Sequence, residues 1–170
     1  MRIETSYQEG LKKLIKEHDL DEINVVMLCN EVNSNRQTFY YHFRDISDVV
    51  QSIMLKEEIK TKYTTFEECV SNALAYINSN YSFICAINKS FCSVSVEEFF
   101  YHYFYKKISN FLDKENKTYQ ESLRLLCTLY SKELCFWIST RRREKQPHLL
   151  KRFMTIYEFF SKEYKKEMEK

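Results

Sequence analysis

The sequence predicts an all-α protein of about nine helices, a prediction carried by spacing, composition and capping signals. Apolar residues recur at three- and four-residue intervals along most of the chain, the period of a helix with one buried face. Only one glycine (Gly10) and one proline (Pro147) occur in 170 residues. Tight βαβ turns and type I′ hairpins draw on glycine because it enters φ > 0 freely. Ser, Thr, Asn and Asp stand ahead of most apolar-periodic segments as N-caps. At 44 % hydrophobic and 29 % charged residues, the chain can bury a core and is not of the disordered class. The glycine count also excludes phosphate-cradling loops, dinucleotide fingerprints and the nucleophile elbow.

Leu11, Leu14, Ile15 and His18 mark one face of a first helix, expected over residues 6–18 and broken by Asp19-Leu20-Asp21-Glu22. Asn24 caps a short second helix through Val32, and Asn33-Ser34-Asn35 form a turn, since Asn tolerates the left-handed conformation. A third helix runs from Arg36 to Phe43, and Asp45 or Ser47 caps a fourth reaching Tyr63. Thr64/Thr65 ahead of Glu67-Glu68, and Ser93/Ser95 ahead of Glu97-Glu98, have the capping-box form. Polar breaks at Asn78-Ser79-Asn80, Asn88-Lys89-Ser90, Asp113–Asn116 and Arg141–Gln146 separate the later helices, and Pro147 opens the last. The run Phe99–Tyr105 has strand propensity, but it lies between a cap signature and Ile108, Phe111 and Leu112 at helical spacing, so it reads as helix.

Cysteines stand at 29, 69, 85, 92, 127 and 135, none in C-x-x-C or zinc spacing. They read as buried, reduced thiols of a cytoplasmic protein without metal or cofactor. No run of 18 apolar residues occurs, so no membrane span is expected. The net charge of +2 is unevenly spread: residues 1–60 carry 8 Lys+Arg against 11 Asp+Glu, the rest 18 against 13. Arg141-Arg142-Arg143, the strongest basic run, reads as a solvated interhelical loop. No paired carboxylates or nucleophile arrangement stands out, and the chain is not expected to be an enzyme.

Residues 23–50 carry the functional signal. They read as two short helices joined by a tight turn, with Leu28, Val32, Phe39 and Phe43 spaced to bury against the first helix, a helix-turn-helix. The second of these helices then exposes Arg36, Gln37, Thr38, Tyr40, Tyr41 and His42, and no acid lies between Val32 and Arg44. A helix of this kind can lie in a major groove with its first residues at base edges.

Thr38-Phe39-Tyr40-Tyr41-His42-Phe43, with Leu28, Cys29 and Val32 before it and Asp48-Val49 after it, resembles the signature of the TetR-type transcriptional repressors. The resemblance spans roughly residues 5–60; the remainder is similar only in architecture, with Trp137 near the end of the penultimate helix. It implies that Asn35, Arg36, Gln37, Thr38, Tyr40, Tyr41 and His42 form the DNA-contacting set. Arg36 and Gln37 would read bases, Thr38, Tyr40 and His42 would hold phosphates, and Tyr41 would lie along the sugar-phosphate edge. The chain departs from the signature at Asn33 (for Gly), Ser34 (for Val), Val25 (for a phosphate-gripping Ser/Thr) and Ile46 (for a phosphate-gripping Lys).

Leu150, Phe153, Tyr157, Phe160 and Tyr164 follow alternating three- and four-residue spacing on the last helix, and the preceding helix is apolar on several sides. A homodimer through these two helices is expected, with Leu126, Trp137, Leu150, Phe153, Tyr157 and Phe160 at its interface. The resemblance further implies a pocket for a small apolar or aromatic inducer among the middle helices, with Tyr76, Phe83, Phe100, His102 and Phe104 as lining candidates. The expected division is a DNA-binding module at 1–46 and a ligand-binding and dimerisation domain at 47–170. The expected function is a dimeric, ligand-released repressor on operator DNA. The alternative is a co-activator or protein-interaction dimer of the same fold with weakened DNA binding, suggested by Val25, Ile46 and the acidic N-terminal module.

Overall fold

The computed structural model describes residues 3–59, 65–109, 117–140 and 146–168. Among them are α1 (Ile3–Leu14), α2 (Val25–Glu31), α3 (Arg36–His42), α4 (Ile46–Lys56), α5 (Phe66–Ser79), α6 (Tyr81–Lys89), α7 (Ser93–Ile108), α8 (Lys117–Thr140) and α9 (Gln146–Met168). A 3-10 turn spans Leu20–Glu22, and the described residues contain no strand. The fold is all-α, as the spacing predicts. Thr64, Asp113–Asn116, Arg141–Arg143 and the side chain of Tyr164 lie outside the described residues.

The local signals succeed unevenly. Asn24 Oδ1 accepts from the Val26 and Met27 amides (3.0 and 3.1 Å), and Asp45 caps α4 through the Asp48 amide at 2.9 Å. Thr65 and Glu68 form a reciprocal capping box, each side chain accepting the other's amide at 3.2 Å. Helix α1 stops at Leu14 rather than 18, because tighter bonds from Lys16 to Lys13 and from Glu17 to Leu14 (both 3.0 Å) close it. Helix α4 stops at Lys56 rather than 63, with Glu57 already extended. Ser93 is helical from the start of α7 rather than a cap, the Ser90 carbonyl having accepted its amide at 3.1 Å.

The chain divides into two compact units. The first comprises residues 1–58 and 80–99, holding α1–α4, α6 and the start of α7. Here α1 packs on α2 and α4, and α2 on α3. Tyr7, Leu11 and Leu14 of α1 are buried, as are Leu28, Phe39, Phe43, Val49, Val50 and Ile53, and the Tyr7 ring stands edge-on to Phe39 and Phe43. Gly10 lies where α1 crosses α2: a Cβ there would sit 2.5 Å from Val32 Cγ1. The chain's one glycine thus serves close helix approach rather than a turn.

The second unit comprises residues 59–79 and 100–170, with α5 packed on α9. Its centre is a column of rings. Tyr157 stacks on Phe66 (4.1 Å), Phe66 on Tyr130 (5.6 Å) and Tyr130 on Phe153 (4.5 Å). Phe104 abuts the column at 5.3 Å from Tyr130. The Tyr130 hydroxyl donates to the Phe153 carbonyl and that of Tyr103 to the Cys69 carbonyl, both at 2.8 Å, so the buried phenols keep partners.

Candidate nucleic-acid interface

The turn between α2 and α3 is built from three consecutive residues with different tasks. Asn33 takes φ 52°, the left-handed conformation that glycine and asparagine reach most cheaply. Its amide returns to the Asn30 carbonyl (3.2 Å) and the Ser34 amide to the Cys29 carbonyl (2.8 Å), which satisfies the exposed end of α2. Asn35 then caps α3: its Oδ1 accepts from the Thr38 amide at 2.9 Å and from the Thr38 hydroxyl at 3.2 Å.

Helix α3 is seven residues long, too short to persist without tertiary support. Phe39 is fully buried and Phe43, its extended C-cap, is 6 % exposed; the two rings anchor α3 to α1. The remaining side chains turn outward. Arg36, Gln37, Tyr40 and Tyr41 are exposed, Tyr41 at 85 %, and Thr38 and His42 are half-buried. A polar and aromatic face therefore protrudes from a rigid apolar base, the shape that fits a groove.

The residues of the expected set do not all have equal freedom. The side chain of Asn35 is engaged in capping, and the Thr38 hydroxyl is turned to Asn35. Glu4 of α1 places Oε1 3.4 Å from His42 Nδ1, an acid the linear pattern around α3 does not reveal. Arg44 turns onto Asp48, its amide bonding Oδ2 at 3.0 Å and its guanidinium Oδ1 at 3.3 Å, which holds the Asp48 carboxyl below the usual carboxylate range. Ile46 is buried at 6 % exposure, so no side chain reaches outward where the signature lysine would stand. Val25 opens α2 half-buried, and the first-turn amides behind it are already held by Asn24.

The expected pocket and interface residues fall in several environments. Phe100 and Phe104 are completely buried, Tyr76 is half-buried, and His102 is exposed. Phe83 is half-buried in the first unit, where Lys12 Nζ lies 5.2 Å from its ring. None of these five lines the groove of about 490 Å³ on α9, which is bounded by His148, Lys151, Arg152, Thr155 and Ile156. Leu126 and Phe153 lie inside the second unit, at 5 % and 1 % exposure, rather than on its surface. Trp137, Leu150, Tyr157 and Phe160 are half-buried. Among the described residues, the exposed large apolar side chains of α8 and α9 are instead Leu125, Leu129, Phe136 and Phe159, which the spacing did not separate from their buried neighbours. Missed by sequence reasoning altogether, Asn72 of α5 has a buried Nδ2 without a hydrogen-bond partner among the described residues. The described residues contain no metal-binding cluster of His, Cys, Asp or Glu, and no described helix is long and apolar enough to cross a membrane.

No protein-family model matches this chain, and no curated protein sequence matches it. Among solved structures, it is similar to the dihydroxyacetone kinase operon activator DhaS. The TM-score is 0.56 at 15 % sequence identity, covering 90 % of this chain and 92 % of the other. A likeness at that identity concerns the fold alone, which is all-α.

Proposed function

We propose that the chain is a dimeric, sequence-specific DNA-binding regulator of transcription that reads a duplex with α3. One observation carries the proposal: Arg36, Gln37, Tyr40 and Tyr41 project from a short helix whose other face, Phe39 and Phe43, is locked into the core. Arg36 reads a base edge, Gln37 the neighbouring one, and Tyr40, Thr38 and His42 hold phosphates, with Tyr41 along the sugar edge and Asn35 fixing the helix start. The module at 1–46 reads DNA, and 47–170 supplies dimerisation and ligand binding. The second copy docks on α8 and α9, where Leu125, Leu129, Phe136 and Phe159 are exposed. The inducer is a small apolar molecule; the aromatic second unit supports its apolar character, and the unpartnered Asn72 amide supports one hydrogen-bond acceptor on it. The protein is a cytoplasmic regulator rather than an enzyme, in keeping with the regulator named in the structural neighbour. The proposed sign is repression, whereas the structural neighbour is named an activator; a reporter fused to a bound promoter gives the sign.

Selection from a random duplex library tests this. A two-fold-symmetric site should be enriched, with affinity falling steeply between about 50 and 200 mM salt. Arg36→Ala should lose about 1–3 kcal/mol, concentrated at one base position of each half-site. An unenriched pool from folded protein favours a second reading, a co-activator or protein-interaction dimer. That reading is supported by buried Ile46, by Val25 at the start of α2 and by Glu4 beside His42.

A further inference from the structure

We infer that Tyr7 of α1, outside the face offered to DNA, is a positioning residue that sets the orientation of α3 through Ser34. Ser34 follows the left-handed Asn33, at the place where such helix ends usually make an apolar contact back to their last turn. A serine cannot make that contact. The Tyr7 hydroxyl instead donates to Ser34 Oγ at 2.7 Å, linking residues 27 positions apart. The Tyr7 ring, fully buried, also stands edge-on to Phe39 (5.3 Å) and Phe43 (6.0 Å). One side chain therefore touches the turn before α3, its middle and its end, and contact at three places along a short helix defines its tilt. The Lys13–Glu31 pair also links α1 to α2, but at the exposed surface, where salt and solvent weaken it. Burial raises the Tyr7 hydroxyl above its ordinary pKa, so it remains a neutral donor at physiological pH.

The geometry stands independently of DNA; the effect on operator binding rests on the proposed function. Tyr7→Phe keeps the ring and removes the donor, and Ser34→Ala removes the acceptor without touching the core. Amide hydrogen exchange on the full-length protein should show Thr38 and Phe39 exchanging roughly three- to tenfold faster in either variant. Amides at the end of α1 and around Tyr130 should stay unchanged. At a temperature where the variants are fully folded, affinity for the selected duplex should fall by a similar factor. Adding Ser34→Val to Tyr7→Phe should restore both, by supplying the missing apolar contact. Unchanged exchange in α3, or acceleration spread evenly over residues 3–56, overturns the inference and leaves Tyr7 as ordinary core. A localised α3 response from a protein that binds no duplex upholds the positioning role while refuting the DNA-reading assignment.

Discussion

Gly10→Ala is the substitution whose sign the structure decides against the usual rule. In an isolated helix, glycine to alanine stabilises by about 1 kcal/mol. Here the new Cβ would lie 2.5 Å from Val32 Cγ1, 3.3 Å from Leu28 Cδ1 and 3.5 Å from Glu31 Cγ. Carbon atoms pack best at about 3.5–4.0 Å, so the first of these contacts is short by about 1 Å. Val32 cannot simply rotate away, because a β-branched side chain has few open wells at χ1, and it is the C-cap that leads into the turn. Helices α1 and α2 must separate, and overpacking of this kind costs about 1–3 kcal/mol. Set against the helix gain, the net is a loss of about 0–2 kcal/mol. At its midpoint this lowers the melting temperature by about 2–4 °C for a chain of this size. Urea titration should report it, together with weaker duplex binding as the turn is displaced. The cycle with Val32→Ala is the stringent form. In that background the obstructing methyl is gone, so Gly10→Ala should stabilise by about 1 kcal/mol. Stabilisation by Gly10→Ala alone, or equal effects in the two backgrounds, would refute the close-approach explanation.

Asn35→Ala should cost about 0.5–2 kcal/mol of stability without any DNA present, because the Thr38 amide loses its cap; an unchanged melting curve with reduced binding would reassign Asn35 to base or phosphate contact. In native protein at pH 8, half-exposed Cys135 should react first with a thiol reagent. Cys69 and Cys127, pushed by burial up to about 11 and about 12, should react only as fast as the second unit opens, as time-resolved titration will show. The lowered Asp48 pKa gives a pH signature: stability from this pair is present above the unfolded carboxylate value and is lost as pH falls through the lower folded value. Asp48→Asn should flatten that acid limb slightly, and less so in high salt, since Arg44 is 82 % exposed.

Much of the helix-turn-helix, and of the helix capping beyond it, was legible in the linear order because the determinants act over three or four residues. Asn24 and Asp45 cap the helices they precede, Thr65 and Glu68 close a capping box, and Asn33 adopts the left-handed conformation its side chain tolerates. Asn35 shows the limit. The resemblance implies a DNA contact there, yet the same residue type at the same place is also the cap of α3. Glu4 beside His42 was invisible to the pattern, because α1 reaches α3 only after the chain has folded back. The aromatic positions were ambiguous for a related reason. Helical spacing identifies a face that must be covered and is silent on what covers it. Phe153 and Leu126 are covered by their own unit, whereas Leu125 and Leu129, one and three residues from Leu126, are exposed.

From the residue order alone followed the helical class, the placement of the turn at 33–35 and the set of side chains opposite Phe39 and Phe43, since propensity, capping and periodicity are properties of near neighbours. Only the tertiary structure decided that Gly10 is a crossing point, that residues 80–99 join the N-terminal unit and that Tyr7 braces Ser34. Those depend on which distant surfaces meet, and a contact between residues 27 positions apart leaves no local periodicity to betray it.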